Sequence, residues 1–350
     1  MTTEKGEAQS VTISGIQEEV PGVKTFHMTF PEGRTPVYKA GQFITLAFTH
    51  HGKEERRSFS LSSTPGFDEQ LSFTVKRIDN GAYSRLLADR SKPGDQLRIL
   101  GPSGFFTLPP DIASYQQVFF FAAGIGITPI LPLIKTLLYQ FRDISIVLVY
   151  SNRNQAETVF FEVLTRLASQ YMQQLKVVYL FSNAYDLSRA RLNKMLVKAL
   201  LEENRCTTTD KMLFFTCGPY AYMRMVIYAL EEYGANRKQI RKEHFDSIEK
   251  PAMLPEPPDR EPHVVRIVTA TGKYNITVHY PQTILQAAKQ EGLSLPYSCE
   301  AGRCGSCAAI CTSGQVWHSY NEVLTDTELR HGSILTCTGY PVGGDAEILI

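Results

Sequence analysis

Net charge is almost absent from this chain of 350 residues: 36 Lys and Arg stand against 35 Asp and Glu, so no basic face for nucleic acid is expected. Long apolar runs are missing as well. None approaches the roughly 20 residues that a membrane-spanning helix needs, which speaks against membrane insertion. The opening stretch Met1-Thr2-Thr3-Glu4-Lys5-Gly6-Glu7 has no apolar core of the kind an export leader carries, and the expected address is cytoplasmic. Cysteine is sparse, at seven residues, and in a reducing compartment such cysteines favour metal ligation over disulfides. Nothing in the composition sets an oligomeric state.

What is present is organised around Tyr297-Ser298-Cys299-Glu300-Ala301-Gly302-Arg303-Cys304-Gly305-Ser306-Cys307, with Leu335-Thr336-Cys337 far downstream. Four residues between the first two cysteines, two before the third and a distant fourth is the spacing of a plant-type 2Fe-2S site. Structural zinc and a disulfide framework are the competing readings. Zinc sites usually show two close pairs, whereas this triplet is asymmetric and its fourth member stands alone. Gly302 and Gly305 supply the backbone freedom that a loop wrapped around a cluster demands. Cys311 lies in Ala308-Ala309-Ile310-Cys311-Thr312, which reads as a strand running into a Ser313-Gly314 turn, and is expected to be a small buried hydrophobe.

The run from Pro296 through Cys307, with Leu335-Thr336-Cys337 and Pro341 after it, resembles the plant-type ferredoxin family. That resemblance covers about Val264 to Ile350. It implies Cys299, Cys304, Cys307 and Cys337 as cluster ligands and a β-grasp (α+β) fold. Alternation independently predicts a hairpin at Val264–Val268 and Tyr274–Val278. Thr283 followed by Ile284, Leu285 and Ala288 predicts a capped helix over Ile284–Glu291.

From Val11 to about Leu108, short alternating segments broken by Gly and Pro turns predict an antiparallel β-barrel. Arg56-Arg57-Ser58-Phe59-Ser60 lies inside it, placing a cation, an aromatic and hydroxyls on one strand. Gly81-Ala82-Tyr83-Ser84 opens a helix through Leu87, and a helix N-terminus of this kind suits an anion. In this order the motifs resemble the flavin domain of the ferredoxin-NADP reductase superfamily. The family pattern of arginine, any residue, tyrosine and serine falls on Arg57, Ser58, Phe59 and Ser60. The resemblance implies FAD, chosen over FMN, with Arg57 on its pyrophosphate and Phe59 on its ring. It places Gly81 to Ser84 over the phosphates and extends the cofactor site to Thr74, Val75 and Lys76. Phe59 keeps the stacking surface of the usual tyrosine and loses the phenolic hydrogen bond.

Near Ser114 the alternation gives way to Val118-Phe119-Phe120-Phe121-Ala122-Ala123, a run expected of a strand buried on both faces. A Gly124-Ile125-Gly126-Ile127-Thr128-Pro129 turn and a helical stripe follow. Further buried runs at 145–150, 176–181 and 211–216, each ending in polar residues, predict an α/β doubly wound parallel sheet with its ligand beyond the strand ends. The same family resemblance assigns the nicotinamide nucleotide to Gly124, Gly126, Thr128 and Pro129 and to Cys217, Gly218 and Pro219. It makes Phe59, Ser60, Thr128 and Cys217 the residues around the reacting rings and adds Phe245, after Glu243 and His244, beside the flavin. His244 itself reads as a surface residue. Ser151, Arg153, Ser182 and Arg191, with Arg189, offer cations and hydroxyls where a 2'-phosphate sits, so NADPH is expected, with NADH the alternative.

The reading is multidomain: an FAD-binding barrel at 8–112, an NAD(P)H-binding domain at 113–248, a Pro-rich linker at 249–262 and a 2Fe-2S domain at 263–350. In extended form the linker would reach about 40 Å. This order resembles the reductase components of phenylacetyl-CoA oxygenases and related bacterial oxygenases. It implies electron flow from NADPH through FAD and the cluster to an oxygenase partner. A reductase for a desaturase or cytochrome, or a cluster-bearing redox sensor, are the alternative readings.

Overall fold

The computed structural model describes residues 8–31, 35–50, 52–245 and 254–350. Residues 249–253 of the expected linker lie outside the described residues.

The first unit is an antiparallel sheet of β1 (Gln9–Val20), β2 (Val23–Thr29), β3 (Phe43–His50), β4 (Lys53–Ser60), β5 (Leu71–Lys76) and β6 (Gln96–Ser103), ordered β4-β3-β6-β1-β2-β5, with α1 (Ala82–Arg90) following β5. A bridge between Leu61 and Phe73 joins the two ends of the sheet into a barrel. Inward-facing Ile13, Phe26, Met28, Ile44, Leu46 and Phe73 fill it, with Phe26 and Phe73 stacked at 5.1 Å.

The second unit is a parallel sheet of β7 (Gln117–Ala123), β8 (Ser145–Asn152), β9 (Leu175–Phe181), β10 (Met212–Cys217) and β11 (Ile240–Glu243), ordered β11-β10-β7-β8-β9. Helices α2 (Ile130–Gln140) and α3 (Phe161–Gln170) share a core with Val118 and Phe120. Helices α4 (Lys194–Asn204) and α5 (Tyr220–Tyr233) share another with Phe119 and Phe121. Alternate residues of one strand thus feed opposite layers, which is why β7 reads as a continuous apolar run. Phe67 and Tyr139 pack at 4.6 Å, and Asp68 pairs with Lys135, fastening the barrel to α2.

The third unit holds β12 (His263–Val268), β13 (Lys273–Val278), α6 (Ile284–Gln290), β14 (Ala308–Ser313), β15 (Val316–His318), α7 (Asp326–Arg330), β16 (Ser333–Leu335), β17 (Gly339–Pro341) and β18 (Ala346–Leu349). Its main sheet is ordered β13-β12-β18-β14-β16, and α6 starts in a capping box of Thr283 and Gln286. Cys311 lies on β14 as expected, but it is only half-buried. It packs against the core of the third unit just before a register shift between Cys311 and Ser313, and its thiol donates to the Ser313 carbonyl at 3.3 Å.

The described part of the spacer is not free. Asp259 accepts from the amides of Glu261 (2.9 Å) and Gly343 (2.7 Å) and pairs with His263 at 2.6 Å, so this end of the spacer lies on the third unit. Those bonds hold its carboxyl down at about 2.

Candidate functional site

Four cysteines meet in the third unit as two pairs. The Cys304 thiol donates to Cys299, and Cys307 lies beside Cys337. Among the described residues no three His, Cys, Asp or Glu side chains converge to hold a single metal ion. Two pairs of thiols side by side are the donor set that two irons require. The loop presents its amides to the sulfurs: Ala301 N–H reaches Cys299 Sγ at 3.4 Å and Ser306 N–H reaches Cys304 Sγ at 3.5 Å. Hydrogen bonds from the Cys304 thiol and from backbone amides bring Cys299 down to about 6, against the burial that raises it. These residues fit a 2Fe-2S cluster. Gly302 and Gly305 hold φ of 69° and 74°, and a methyl on Gly302 would lie 2.6 Å from the Tyr320 carbonyl oxygen.

The exposed side of this loop faces the barrel across a cavity of about 470 Å³. Ser60, Phe105 and Glu243 stand on its walls together with Cys299 and Cys304. The Ser60 hydroxyl donates to Glu243 Oε1 at 2.8 Å, while Glu243 Oε2 is buried without a hydrogen-bond partner. Burial raises the Glu243 carboxyl to about 8, with the Ser60 hydrogen bond opposing the rise. A polar ring edge placed here would meet that oxygen, so the cavity fits a flavin. Phe59 lies on the other face of β4, half-buried and tilted against Phe73 at 5.7 Å, and is not on the cavity wall. Arg57 is exposed, pairs with Glu55 at 3.1 Å and lies 5.0 Å from the Tyr83 ring.

Several expected ligands are otherwise engaged. Ser84 donates to the Gly81 carbonyl and accepts from the Ile78 amide, so its hydroxyl closes the turn before α1 instead of facing a phosphate. Gly81 caps α1 with no side-chain bond, leaving the first amides, at Ala82 and Tyr83, as donors. Thr74 bonds Thr25 and Ser62 on the face of β5 away from the barrel core, and Val75 belongs to that core. That stretch, ending at exposed Lys76, therefore offers backbone along the last strand of the sheet.

Beyond β7 and β10 the chain is pressed close. A methyl on Gly126 would lie 2.2 Å from the Cys217 carbonyl oxygen, and one on Gly218 would lie 2.9 Å from Ala123 Cβ. Gly124, at φ 52°, has open space before it. This cleft fits a nucleotide phosphate, although Gly124–Ile127 forms a 3-10 turn and α2 begins only after Pro129. Thr128 is buried, with its hydroxyl donating to the Ile125 carbonyl at 3.0 Å, which closes the turn. Cys217 is fully buried at the end of β10, in register with Ala122 and Glu243, and Pro219 precedes α5. Amides of Ser182 and Asn183 bond the carbonyls of Asn152 and Arg153, placing Ser151, Arg153 and Ser182 on one rim. Arg153 is exposed on that rim and Arg191 is exposed further along the chain, whereas Arg189 is engaged by Glu203.

His244 is not at the surface. Its side chain is 7% exposed and lies 3.7 Å from Glu322 of the third unit, which covers it. Phe245, by contrast, is exposed at the cavity mouth. Sequence reasoning passed over Arg56, Ser58, Phe105 and Glu322, whose partners lie in another unit. Two adjacent arginines before Ser58 were the only signal.

A flavin barrel, a nucleotide sheet and a ferredoxin loop that open on one cavity define an electron-transfer reductase. Family models agree: an oxidoreductase FAD-binding domain matches residues 11–108, an oxidoreductase NAD-binding domain 120–227 and a 2Fe-2S iron-sulfur cluster binding domain 268–342. The ferredoxin reductase component of 3-ketosteroid-9-alpha-monooxygenase from Mycolicibacterium smegmatis is 31% identical over 96% of this chain and 95% of its own. A component of the 1,2-phenylacetyl-CoA epoxidase from Escherichia coli is 28% identical over 97% of this chain and 96% of its own. Phthalate dioxygenase reductase superposes with a TM-score of 0.60 over 98% of both chains, at 24% identity. The chain belongs to the family of flavin and iron–sulfur reductase components of oxygenases. It is an NAD(P)H-dependent oxidoreductase with FAD and a 2Fe-2S cluster, and it passes electrons to an oxygenase partner. No helix among the described residues is long and apolar enough to cross a membrane.

Proposed function

We propose that this reductase draws its electrons from NADPH, works in the cytosol and serves an oxygenase of the phenylacetyl-CoA type. The observation that carries the electron path is the single cavity with Ser60 and Glu243 on one wall and Cys299 and Cys304 on another. The Escherichia coli epoxidase component, matched over 96% of its length, supports the partner class. The domain extents we propose are 8–112, 113–248 and 263–350, joined by 249–262.

Bound here, the flavin accepts a hydride and releases electrons singly, and the cluster carries them one at a time. The chain's part is to hold and orient. Phe59 and Ser60, neighbours at the end of β4, would hold the ring, Ser60 from the cavity wall and Phe59 from the opposite face of the strand. Arg57 supplies charge for the pyrophosphate, with amides at Gly81, Ala82 and Tyr83 and backbone at Thr74, Val75 and Lys76. Ser60 and protonated Glu243 hold the ring's polar edge, and Phe245 covers the mouth. Gly124, Gly126, Thr128, Pro129, Cys217, Gly218 and Pro219 shape the nicotinamide cleft, where Cys217 packs without acid or base work. Ser151, Arg153, Ser182 and Arg191 receive the 2'-phosphate. The thiolates of Cys299, Cys304, Cys307 and Cys337 hold the cluster.

Anaerobic mixing with NADPH should bleach the flavin band first and the cluster band second, before any reduction of the purified oxygenase component. Oxygenase reduction without prior bleaching of the cluster would overturn this order.

A further inference from the structure

Strand β4 points Arg56, Ser58 and Ser60 to one face, and the flavin reading uses only Ser60 of these. The other two hold the ferredoxin loop. Arg56 donates to the Tyr297 carbonyl at 3.2 Å and sets its guanidinium 3.8 Å from the centre of the Tyr297 ring. Its side chain is 7% exposed, which marks a built contact and not a loose surface arginine. Two residues on, the hydroxyls of Ser58 and Ser298 meet at 2.6 Å. Phe105 leaves the barrel and packs against the core of the third unit, its ring 2.7 Å from where a methyl on Gly305 would lie. Glu322 closes the far side, 3.3 Å from Arg303 of the loop and 3.8 Å from Lys242 of β11.

These contacts flank Cys299 and Cys304. Cys307 and Cys337 are buried in the core of the third unit. Among the described residues, the side of the ligand set that protein can approach closely is therefore the side already covered by the barrel. Electron transfer between proteins needs close approach of the two centres, so the electron must leave through the edge by which it entered.

We propose that the Tyr297–Cys304 edge is a shared docking surface, taken in turn by Arg56 and Ser58 of the barrel and by an acceptor protein whose metal centre lies near its surface. Docking of one excludes the other. The inference rests on the cluster being the exit, as proposed above. One electron passes from flavin to cluster in the docked state, and the same electron passes from cluster to the acceptor metal after release.

A reversible staple tests it. Ser58→Cys with Ser298→Cys places two thiols where the hydroxyls touch, within the reach of a disulfide. The full chain is studied oxidised, and again after treatment with a thiol reductant that is then removed. Cytochrome c is the protein probe and ferricyanide the small one. We expect the stapled form to lose at least tenfold in NADPH-driven cytochrome c reduction and to regain it on opening. Ferricyanide reduction should agree within twofold between the two states. Equal cytochrome c rates in both states would overturn the inference.

A second arm needs neither a staple nor turnover. In Arg56→Ala the amides of 297–304 should exchange hydrogen at least fivefold faster, because the barrel no longer covers them. Unchanged exchange would overturn the docking role of Arg56. If the unmodified protein failed to reduce cytochrome c although its cluster bleached, the proposed exit would fail, and the exchange result would still judge the docking.

Discussion

The Ser60 hydroxyl donates to Glu243 across the junction of the barrel and the nucleotide unit, at 2.8 Å, and this one bond ties the flavin strand to the last strand of the parallel sheet. The carboxyl end is buried, and its proton is held up to about pH 8, against an ordinary 4.5. Between these values the folded chain binds a proton that the unfolded chain has released. Stability therefore falls as pH rises through that window, by on the order of 5 kcal/mol in total. Urea unfolding at pH 5 and pH 8 should show the fall in the parent and a much smaller one in Glu243→Gln.

Iron and sulfide should be found at about two each per chain. Cys304→Ser should abolish the visible cluster spectrum. Cys311→Ser should keep it, because the Cys311 thiol is engaged by the Ser313 carbonyl and is not among the four cysteines that meet. Loss of the cluster in Cys311→Ser would refute the ligand set.

Nucleotide choice is read from steady-state flavin reduction with NADPH and NADH. Arg153→Ala and Arg191→Ala should each cost about 1.5 to 3 kcal/mol with NADPH, the range of a charge-assisted hydrogen bond, and little with NADH. Equal losses with both nucleotides would remove these arginines from the 2'-phosphate site.

Gly126→Ala should damage nucleotide use more than barrel stability. Its new methyl would lie 2.2 Å from the Cys217 carbonyl oxygen, which is backbone, so the turn after β7 and the end of β10 must part. An overpacking cost of about 1 to 3 kcal/mol and a raised KM for NADPH are expected, with flavin content retained. An unchanged KM would mean that the close approach serves packing alone.

Cutting the chain between Pro251 and Pro258 should leave a fragment, ending near Lys250, that still oxidises NADPH with ferricyanide. Its cytochrome c reduction should fall steeply. Adding the Val264–Ile350 piece should restore only part, since its local concentration is no longer set by a covalent link. Full cytochrome c activity in the fragment would place the exit at the flavin.

Much of this was legible in the chain because it is local. Cysteine spacing, the Thr283 cap, the apolar run of β7 and the order of motifs all concern neighbours in sequence, and each element formed where the pattern put it. Hydroxyls were harder. Ser84, Thr74 and Thr128 carry the residue types that ligands prefer, yet each found a nearer partner in its own turn or barrel wall. The burial of His244 and the role of Arg56 depend on residues 322 and 297, far along the chain, and no local pattern encodes such a pair.

The grip of Asp259 on Gly343 also sets a distance. Fourteen residue steps separate Phe245 at the cavity mouth from Asp259, and no chain of that length can span more than about 50 Å. Were the Tyr297–Cys304 edge to leave the barrel, the third unit would stay within that distance, so an acceptor would have to come to the reductase. Lengthening this stretch should change how large an acceptor can be served, without touching any residue that binds a cofactor.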